Sequence, residues 1–356
     1  MNPHEMKHSI KKLPKSQIAL EVQLPAQDLE NKRSAAVAAL AKDVRLEGFR
    51  PGHVPAEVAE KHLGEAAVLS EAARLAISEA YLRIVEQERL DAIGEPEVRV
   101  TKLAFGPPAG GLEFRVQVAV LPDVELPDYK KIALFAQKKT VSVQEKEVDE
   151  ALEWLRKSRG ASAATNEFAK NVGNFSDLAS LRASIQEGLQ HEKELQERDR
   201  LRQEIVEQVA RQSKLEVPDV LVEREKQVLL SQVKQGIGQV LRMSFEEYKQ
   251  KAGKTEQELR DSFSQEAEQR IKRFLVIREV AKRERISPTQ EEIEQEAQAI
   301  LQHLAPPAGR AGSAEQTRLG ARQAKQALDP ERLKEYTEGV LRHEKTLQFL
   351  ESFVKS

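Results

Sequence analysis

The chain has 356 residues, a length that predicts about two or three domains at roughly 150 residues each. Its 56 Lys and Arg residues and 58 Asp and Glu residues give a formal net charge of −2, which argues against a general nucleic-acid binder. The absence of cysteine excludes disulfides, thiolate metal sites and cysteine nucleophiles. No stretch reaches the roughly 20 apolar residues of a membrane span, so we expect a cytosolic protein with no membrane partner.

The first 126 residues combine strand patterns with helix patterns. Residues 17–24 alternate apolar and polar side chains with the period of a half-buried strand, and Pro25 ends the alternation. The predicted order is strand, three helices and two strands, over residues 17–24, 26–45, 56–63, 65–90, 97–103 and 112–121. This order predicts a small α+β domain at residues 1–126.

The remainder of the chain is predicted to be helical. Residues 127–160 form a linker and an arm helix that Ser142 caps, and residues 161–356 form an all-α domain. Helices are expected over residues 177–212, 218–242, 244–253 and 255–285, with another helix from residue 287. Few helices of this part have a wide apolar face, which suits an extended helical body better than one compact core.

Three features mark this helical part. The middle of its first long helix, QHEKELQERDR, is polar all round, so that helix projects or packs along a narrow stripe. Residues 305–316 are the best linker candidate. Apolar residues from Leu333 to Val354, among them Tyr336 and Val340, follow a heptad seam that His343 interrupts. So short a seam favours packing within the domain over a free coiled coil.

No catalytic or cofactor motif is complete. His191 and His343 are each followed by Glu but have Leu four residues on, so neither begins a zinc-binding HExxH motif. The AGKT at residues 252–255 lacks the first glycine and the strand of a phosphate loop, and we interpret it as a helix C-cap followed by an N-cap. GIG at residues 236–238 indicates a kink or a break in a helix rather than a dinucleotide site. We therefore expect no metal, no cofactor and no catalytic residue.

One loop has the composition of a binding site. GFRPGHVP, residues 48–55, joins two predicted helices, and its Gly and Pro residues fix the backbone around Phe49 and Arg50. An exposed Phe offers apolar area, and Arg offers a planar fork for a carboxylate or a phosphate. The alternative is a helix-helix turn with Phe49 packed into its own core, and the loop alone leaves both interpretations open.

GFRPGHVP after a helix ending in AKDVRLE resembles the ribosome-docking signature of the bacterial trigger factor family. The similarity continues in the same order through VLPDVELPDYKKI, VSVQEKEVDEALEWLRK, NEFAKNVGNFSDLASLRASIQEGL and LEVPDVLVEREKQVLLSQV, at residues 120–132, 141–157, 166–189 and 215–233. The resemblance covers most of the chain. It implies an α+β ribosome-binding domain followed by an elongated all-α C-terminal domain with helical arms.

The resemblance also implies partners and a site. The loop residues Gly48, Phe49, Arg50, Pro51, Gly52 and His53 would dock on the large ribosomal subunit at the tunnel exit. The helical domain would hold nascent and unfolded polypeptides without ATP. A homodimer away from the ribosome is left open. The alternative function is a ribosome-independent holdase or assembly chaperone for partly folded proteins.

The chain departs from the family pattern in two places. Pro51 and His53 stand where basic residues are frequent, although from Asn31 to His53 basic residues outnumber acidic ones five to two. The FKBP-type prolyl isomerase domain is missing, because only SRGASAAT separates the arm helix from NEFAKNVG. Phe168 and Phe175 flank the NEFAKNVGNF segment, and we expect them to anchor it to the helical body. We expect Trp154, the only tryptophan, to pack in a core or an interface.

Overall fold

A computed structural model describes residues 6–42, 44, 46, 49, 54–104, 110–304 and 329–355. The chain divides into two compact units, one of residues 1–123 with 215–271 and one of residues 124–214 with 272–356. The predicted fold class is confirmed, since the N-terminal part is a small sheet with helices and the rest is helical. The predicted division at residues 126 and 160 stays a prediction.

The first unit contains a four-stranded antiparallel sheet. Its strands are β1 (Lys7–Leu13), β2 (Gln17–Pro25), β3 (Ala92–Ala104) and β4 (Gly111–Val120), in the order β1-β2-β4-β3. The sequence pattern did not predict β1. This strand lies at the sheet edge and pairs only with β2, with Ile10 opposite Leu20, and its residues are mostly exposed. An exposed edge strand needs no alternation of apolar and polar residues, so the pattern gave no signal.

Helices cover one face of this sheet. They are α1 (Ala26–Glu30), α2 (Arg33–Ala41), α3 (Ala56–Leu63) and α4 (Glu65–Gln87). The expected helix at residues 26–45 is therefore two helices, separated by the turn at Asn31 and Lys32. Side chains from β2, β4, α1 and α4 fill the core, and the largest fully buried ones are Leu20, Leu29, Ile84, Leu112 and Phe114. Polar residues such as Glu21 and Arg115 occupy the opposite, solvated face.

The same unit includes residues 215–271, which contact the β1–β2 hairpin. The backbone N–H of Lys15 donates to the Glu216 carboxylate at 2.6 Å, and the Lys15 ammonium lies 2.7 Å from Asp219. Gly94 of β3 has a φ of +76°, and a Cβ placed there would lie 2.9 Å from Val220 Cγ2. Glycine therefore permits both the backbone conformation and the close approach of Val220.

The helices that begin in residues 215–271 are shorter and more interrupted than the sequence pattern predicts. They are α9 (Asp219–Gly236), α10 (Phe245–Ala252), α11 (Glu256–Ser262) and α12 (Ser264–Arg283), and α12 continues into the second unit. The GIG sequence enters a π-helical turn at Ile237–Leu241, so the predicted kink or break is confirmed. The predicted continuous helix at residues 255–285 was wrong. It is interrupted at Phe263, where Ser262 and Ser264 hydroxyls donate to the carbonyls of Leu259 and Asp261.

The second unit is built on one long helix, α8 (Leu178–Gln212). Contacts with α8 are made by α5 (Tyr129–Phe135), α6 (Glu145–Ser158), α7 (Asn166–Val172) and α14 (Pro330–Glu351), and α13 (Gln290–Leu304) packs on α14. The cap of α6 is Gln144 in a capping box with Glu147, not Ser142.

The predicted heptad seam on α14 was only partly correct. Tyr336 is 64% exposed and Val340 is 41% exposed. The buried positions of the helix are Thr337, Thr346 and Leu350. Thr337 and Thr346 donate to the carbonyls of Leu333 and Arg342, four residues earlier, so their hydroxyls can be buried at little cost.

A buried carboxylate on α8 binds the extended segment that follows α5. Glu197, 6% exposed, accepts the Lys139 backbone N–H at 2.7 Å and pairs with Arg200 Nε at 2.6 Å. Arg200 also donates to the Gln137 carbonyl and to Glu204. The hydrogen bonds from Arg200 and, secondarily, from the Lys139 backbone lower the pKa of Glu197 to about 2, against the opposing effect of burial.

Glu197→Gln tests the contribution of these Glu197 hydrogen bonds to stability. The pKa of Glu197 is lower in the folded protein than the unfolded value of about 4.3, so the ionised carboxylate stabilises the fold above that pH. This stabilisation is lost as the pH falls toward 2. We expect the substitution to lower the free energy of unfolding by about 1–3 kcal/mol at pH 7. The deficit should shrink below about pH 4.5 in urea titrations of the second unit's transition. Glu187→Gln, at an exposed position of the same helix, is the control; a deficit that does not change with pH would contradict the low pKa.

Candidate functional site

The predicted docking loop is anchored at both ends in the core of the first unit. Val44 and Val54 are 7% and 8% exposed and belong to the core that α2 and α3 help to form, and Leu46 packs against it. The Phe49 backbone N–H donates to the Leu46 carbonyl at 3.2 Å. These contacts hold the chain on either side of the loop, so the position of Phe49 is tied to the domain core.

Phe49 points to solvent. Its side chain is 40% exposed, which contradicts the alternative in which it packs into its own core. An exposed aromatic side chain on a core-anchored loop has the form of a contact residue. Gly48, Arg50, Pro51, Gly52 and His53, the other predicted docking residues, lie outside the described residues.

The stretch from Asn31 to His53 is less positive in the structure than its sequence count suggests. Lys32 pairs with Glu79 of α4, which lowers the pKa of Glu79. Arg33 Nε donates to Glu60 of α3 at 2.8 Å, and this contact raises the pKa of Arg33. Glu60 and Glu79 come later in the chain than the stretch from Asn31 to His53, so a local count could not include them. Two of the five counted cations are therefore compensated.

Exposed apolar side chains occur on both units. Those beyond the N-terminal domain include Phe135, Trp154, Val220, Val228, Val240, Leu241, Phe274, Tyr336 and Val340. Trp154 and Phe135 are each 70% exposed, so Trp154 does not pack in the core of the unit, and its packing in an interface stays a prediction. Scattered exposed apolar groups of this size can contact unfolded chains without forming one continuous hydrophobic patch.

The segment at the expected isomerase position is folded. Residues 156–176 comprise the end of α6, a turn, α7 and the segment that leads to the N-cap of α8, with no strand among them. Phe168 is 6% exposed in a cluster with Leu152 and Leu181, and Phe175 packs against it, which confirms their predicted anchoring role. Arg156 donates to the Ala161 carbonyl at 2.6 Å and closes the turn. A helical junction therefore occupies the place where a β-sheet domain would be inserted.

The AGKT sequence, residues 252–255, links α10 to α11. Gly253 ends α10 with a left-handed φ of 62°, and Thr255 caps α11 by accepting from the Glu258 N–H, so the cap interpretation of AGKT is confirmed. Across the described residues, no group of three or more His, Asp or Glu side chains converges as a metal site would require. None of the helices in the described ranges combines the length and the apolar composition that crossing a bilayer requires.

Comparison with known families decides the identity. A family model of the bacterial trigger factor protein matches residues 6–155, and a model of the trigger factor C-terminus matches residues 177–308. The chain belongs to the bacterial trigger factor family. The two matches leave only residues 156–176 between them, the helical junction described above, so this member lacks the isomerase domain. Membership gives the chain a chaperone role in protein folding.

Individual relatives agree. The trigger factor of Moorella thermoacetica is 25% identical over an alignment of 391 positions, which covers 83% of this chain and 86% of the relative. The trigger factor of Mycobacteroides abscessus is 36% identical over 170 residues, 48% of this chain and 34% of the relative.

A solved structure also matches, one described as "Promiscuous Substrate Recognition in Folding and Assembly Activities of the Trigger Factor Chaperone". It superposes with a TM-score of 0.53 at 19% identity, covering 97% of this chain and 99% of the other. At that identity the likeness shows the fold alone. The structural match thus agrees with the fold that the two family models indicate.

Proposed function

We propose that this trigger factor docks on the large ribosomal subunit near the nascent-chain exit and holds unfolded apolar segments without ATP and without prolyl isomerase activity. The exposed Phe49 on a core-anchored loop is the observation that carries the docking part of this proposal. The loop residues Gly48, Phe49, Arg50, Pro51, Gly52 and His53 are the proposed contact. Arg50 would pair there with a carboxylate or a phosphate.

The holding part of the proposal rests on exposed apolar side chains over charged helices. Each such contact is weak, so an unfolded segment can leave without a chemical step that drives release. Tethering at the exit would raise the effective concentration of the nascent chain and make many weak contacts sufficient. The proposal therefore needs no nucleotide, in agreement with the helix-cap role of AGKT.

A ribosome-independent holdase is the second candidate. The ion pairs of Lys32 with Glu79 and of Arg33 with Glu60 favour it, because they compensate two of the five cations counted from Asn31 to His53. A free homodimer would also suit this alternative. Ribosome binding distinguishes the two candidates.

Phe49→Ala combined with Arg50→Ala should release the protein from ribosomes. Arg50→Ala alone should cost about 2–5 kcal/mol of binding free energy if Arg50 is desolvated in the contact, and about 0–1 kcal/mol if it stays at the rim. Loss of the Phe49 ring should add to this cost. Co-sedimentation with ribosomes over a concentration series measures the affinity. Leu82→Ser, at a 63% exposed apolar position of α4, is the matched control and should bind as the unmodified chain does. An affinity that the double substitution leaves unchanged favours the ribosome-independent holdase.

The chain should not accelerate prolyl isomerisation. Catalysis would have to lower a barrier of about 18–20 kcal/mol, which requires a pocket that holds the twisted amide away from water. The junction at residues 156–176 forms no such pocket, since its aromatic side chains fill its own small core. A Pro-containing peptide assay, with contaminating isomerases inhibited, should give the uncatalysed rate at every concentration of this protein. A rate that rises in proportion to its concentration would show that the helical body contains an isomerase site.

A further inference from the structure

The turn between β1 and β2 has an unusual backbone conformation for its residues. It comprises Pro14, Lys15 and Ser16, and the φ angles of Lys15 and Ser16 are 59° and 54°. Residues other than glycine seldom adopt this left-handed region, apart from asparagine and aspartate. Two such residues in succession cost conformational energy, so the turn needs contacts that hold it in this form.

The segment that leads into α9 supplies these contacts. The Lys15 backbone N–H donates to the Glu216 carboxylate at 2.6 Å, and the Ser16 hydroxyl donates to the Glu216 carbonyl at 2.8 Å. The Lys15 ammonium lies 3.0 and 2.7 Å from the two carboxylate oxygens of Asp219, the first residue of α9. The two left-handed residues thus bind one short segment, residues 216–219.

The charges on the two sides of this contact are complementary. The hydrogen bond to Asp219 raises the pKa of Lys15, and the charge of Glu268 on α12 acts in the same direction. Glu216 is a third carboxylate that residues 215–271 present to the turn. Lys15 and the three acidic residues are exposed, and salt screens interactions between exposed charges. The strength of the contact therefore depends on ionic strength.

Apolar packing adds little to this attachment. Among the described elements, α9 packs broadly on α11 and on no strand of the sheet. Val220 approaches Gly94 of β3, but 37% of Val220 remains exposed. Segments held mainly by exposed polar contacts open more readily than a buried core does. The start of α9 is therefore a part of the first unit that can open locally.

We propose that the turn at Lys15 and Ser16 is a reversible latch between the N-terminal domain and the helices of residues 215–271. In the closed latch, Glu216 and Asp219 hold the turn in its left-handed form, and the turn holds the start of α9 beside the sheet. When the latch opens, the N-terminal domain can move separately from these helices. The inference does not depend on the docking or the holding function proposed above.

Hydrogen exchange of the 356-residue chain tests the latch, because a latch couples the segments on its two sides. Mass spectrometry follows peptides that cover residues 7–20, the β1–β2 hairpin, and residues 215–225, the start of α9. Glu216→Ala combined with Asp219→Asn removes the support of the strained turn. We expect exchange in residues 7–20, which carry no substitution, to rise about tenfold.

Lys15→Asn combined with Ser16→Gly tests the opposite direction. Asn-Gly favours positive φ at both positions, so the hairpin should keep its protection while the contacts of the Lys15 ammonium and the Ser16 hydroxyl are lost. Exchange in residues 215–225 should rise about 5–10-fold. Adding Glu216→Ala and Asp219→Asn to this variant should change exchange in residues 7–20 by less than twofold, because the turn no longer needs their support.

Salt and a matched control isolate the ion pair. Raising the salt concentration from about 0.05 M to about 1 M should increase exchange in residues 215–225 about two- to fivefold in the unmodified chain. The Lys15→Asn, Ser16→Gly variant, which lacks the ion pair with Asp219, should respond less. Asp123→Asn is the control, since Asp123 pairs with Lys12 of the same hairpin outside the turn. It should change exchange in both segments by less than twofold.

Exchange that rises only in the segment that carries the substitutions would overturn the latch, because the two sides would then be uncoupled. Exchange that neither pair of substitutions changes would overturn it as well. A rise of equal size in both segments and in peptides of α8 would indicate global unfolding instead of local opening, and it too would contradict the proposal.

Discussion

The second unit is built on α8, a helix whose middle buries no apolar side chain between Leu181 and Leu201. The buried apolar side chains of α8 lie toward its ends, around Leu181 and from Leu201 onward, whereas its middle is polar. Charged side chains attach the neighbours there: Lys193 binds Glu147 of α6 at 2.6 Å, and Glu197 binds the segment at Lys139. Arg202, 8% exposed, binds Glu344 and Glu351 of α14. Such buried charges cost desolvation, and they are tolerated because each has its partners.

This way of building the unit has a functional consequence. Because ion pairs fasten the helices, apolar side chains such as Phe135 and Trp154 need not all be used in the core and can remain exposed. A chaperone requires such groups at its surface, but a large continuous patch would make it aggregate. Spacing them over helices rich in charge meets both requirements. The groove between α5 and the C-terminal half of α8 is an example, because its apolar lining residues Ile132 and Ile205 lie beside Glu204, which pairs with Arg200.

Elements with strong local signals were predictable, and those decided by distant partners were not. Alternating residues gave β2, and proline, serine and threonine marked most helix starts, but the edge strand β1 carries only Ile10 and Leu13 as apolar residues. The break at Phe263 arises from serine hydroxyls that compete for helix carbonyls, which periodicity does not detect. At the candidate site, the loop and Phe49 were found from their composition. The partners of Lys32 and Arg33, and the groove between α5 and α8, come from residues far apart in sequence.

Suppression of aggregation by the 356-residue chain, measured without nucleotide at low and at high ionic strength, tests the central claim most directly. If apolar contacts hold the unfolded client, light scattering of a refolding protein should fall with increasing amounts of this trigger factor at both ionic strengths, because salt does not screen apolar burial. Suppression that disappears at high ionic strength, or that requires ATP, would contradict a nucleotide-independent apolar holding mechanism.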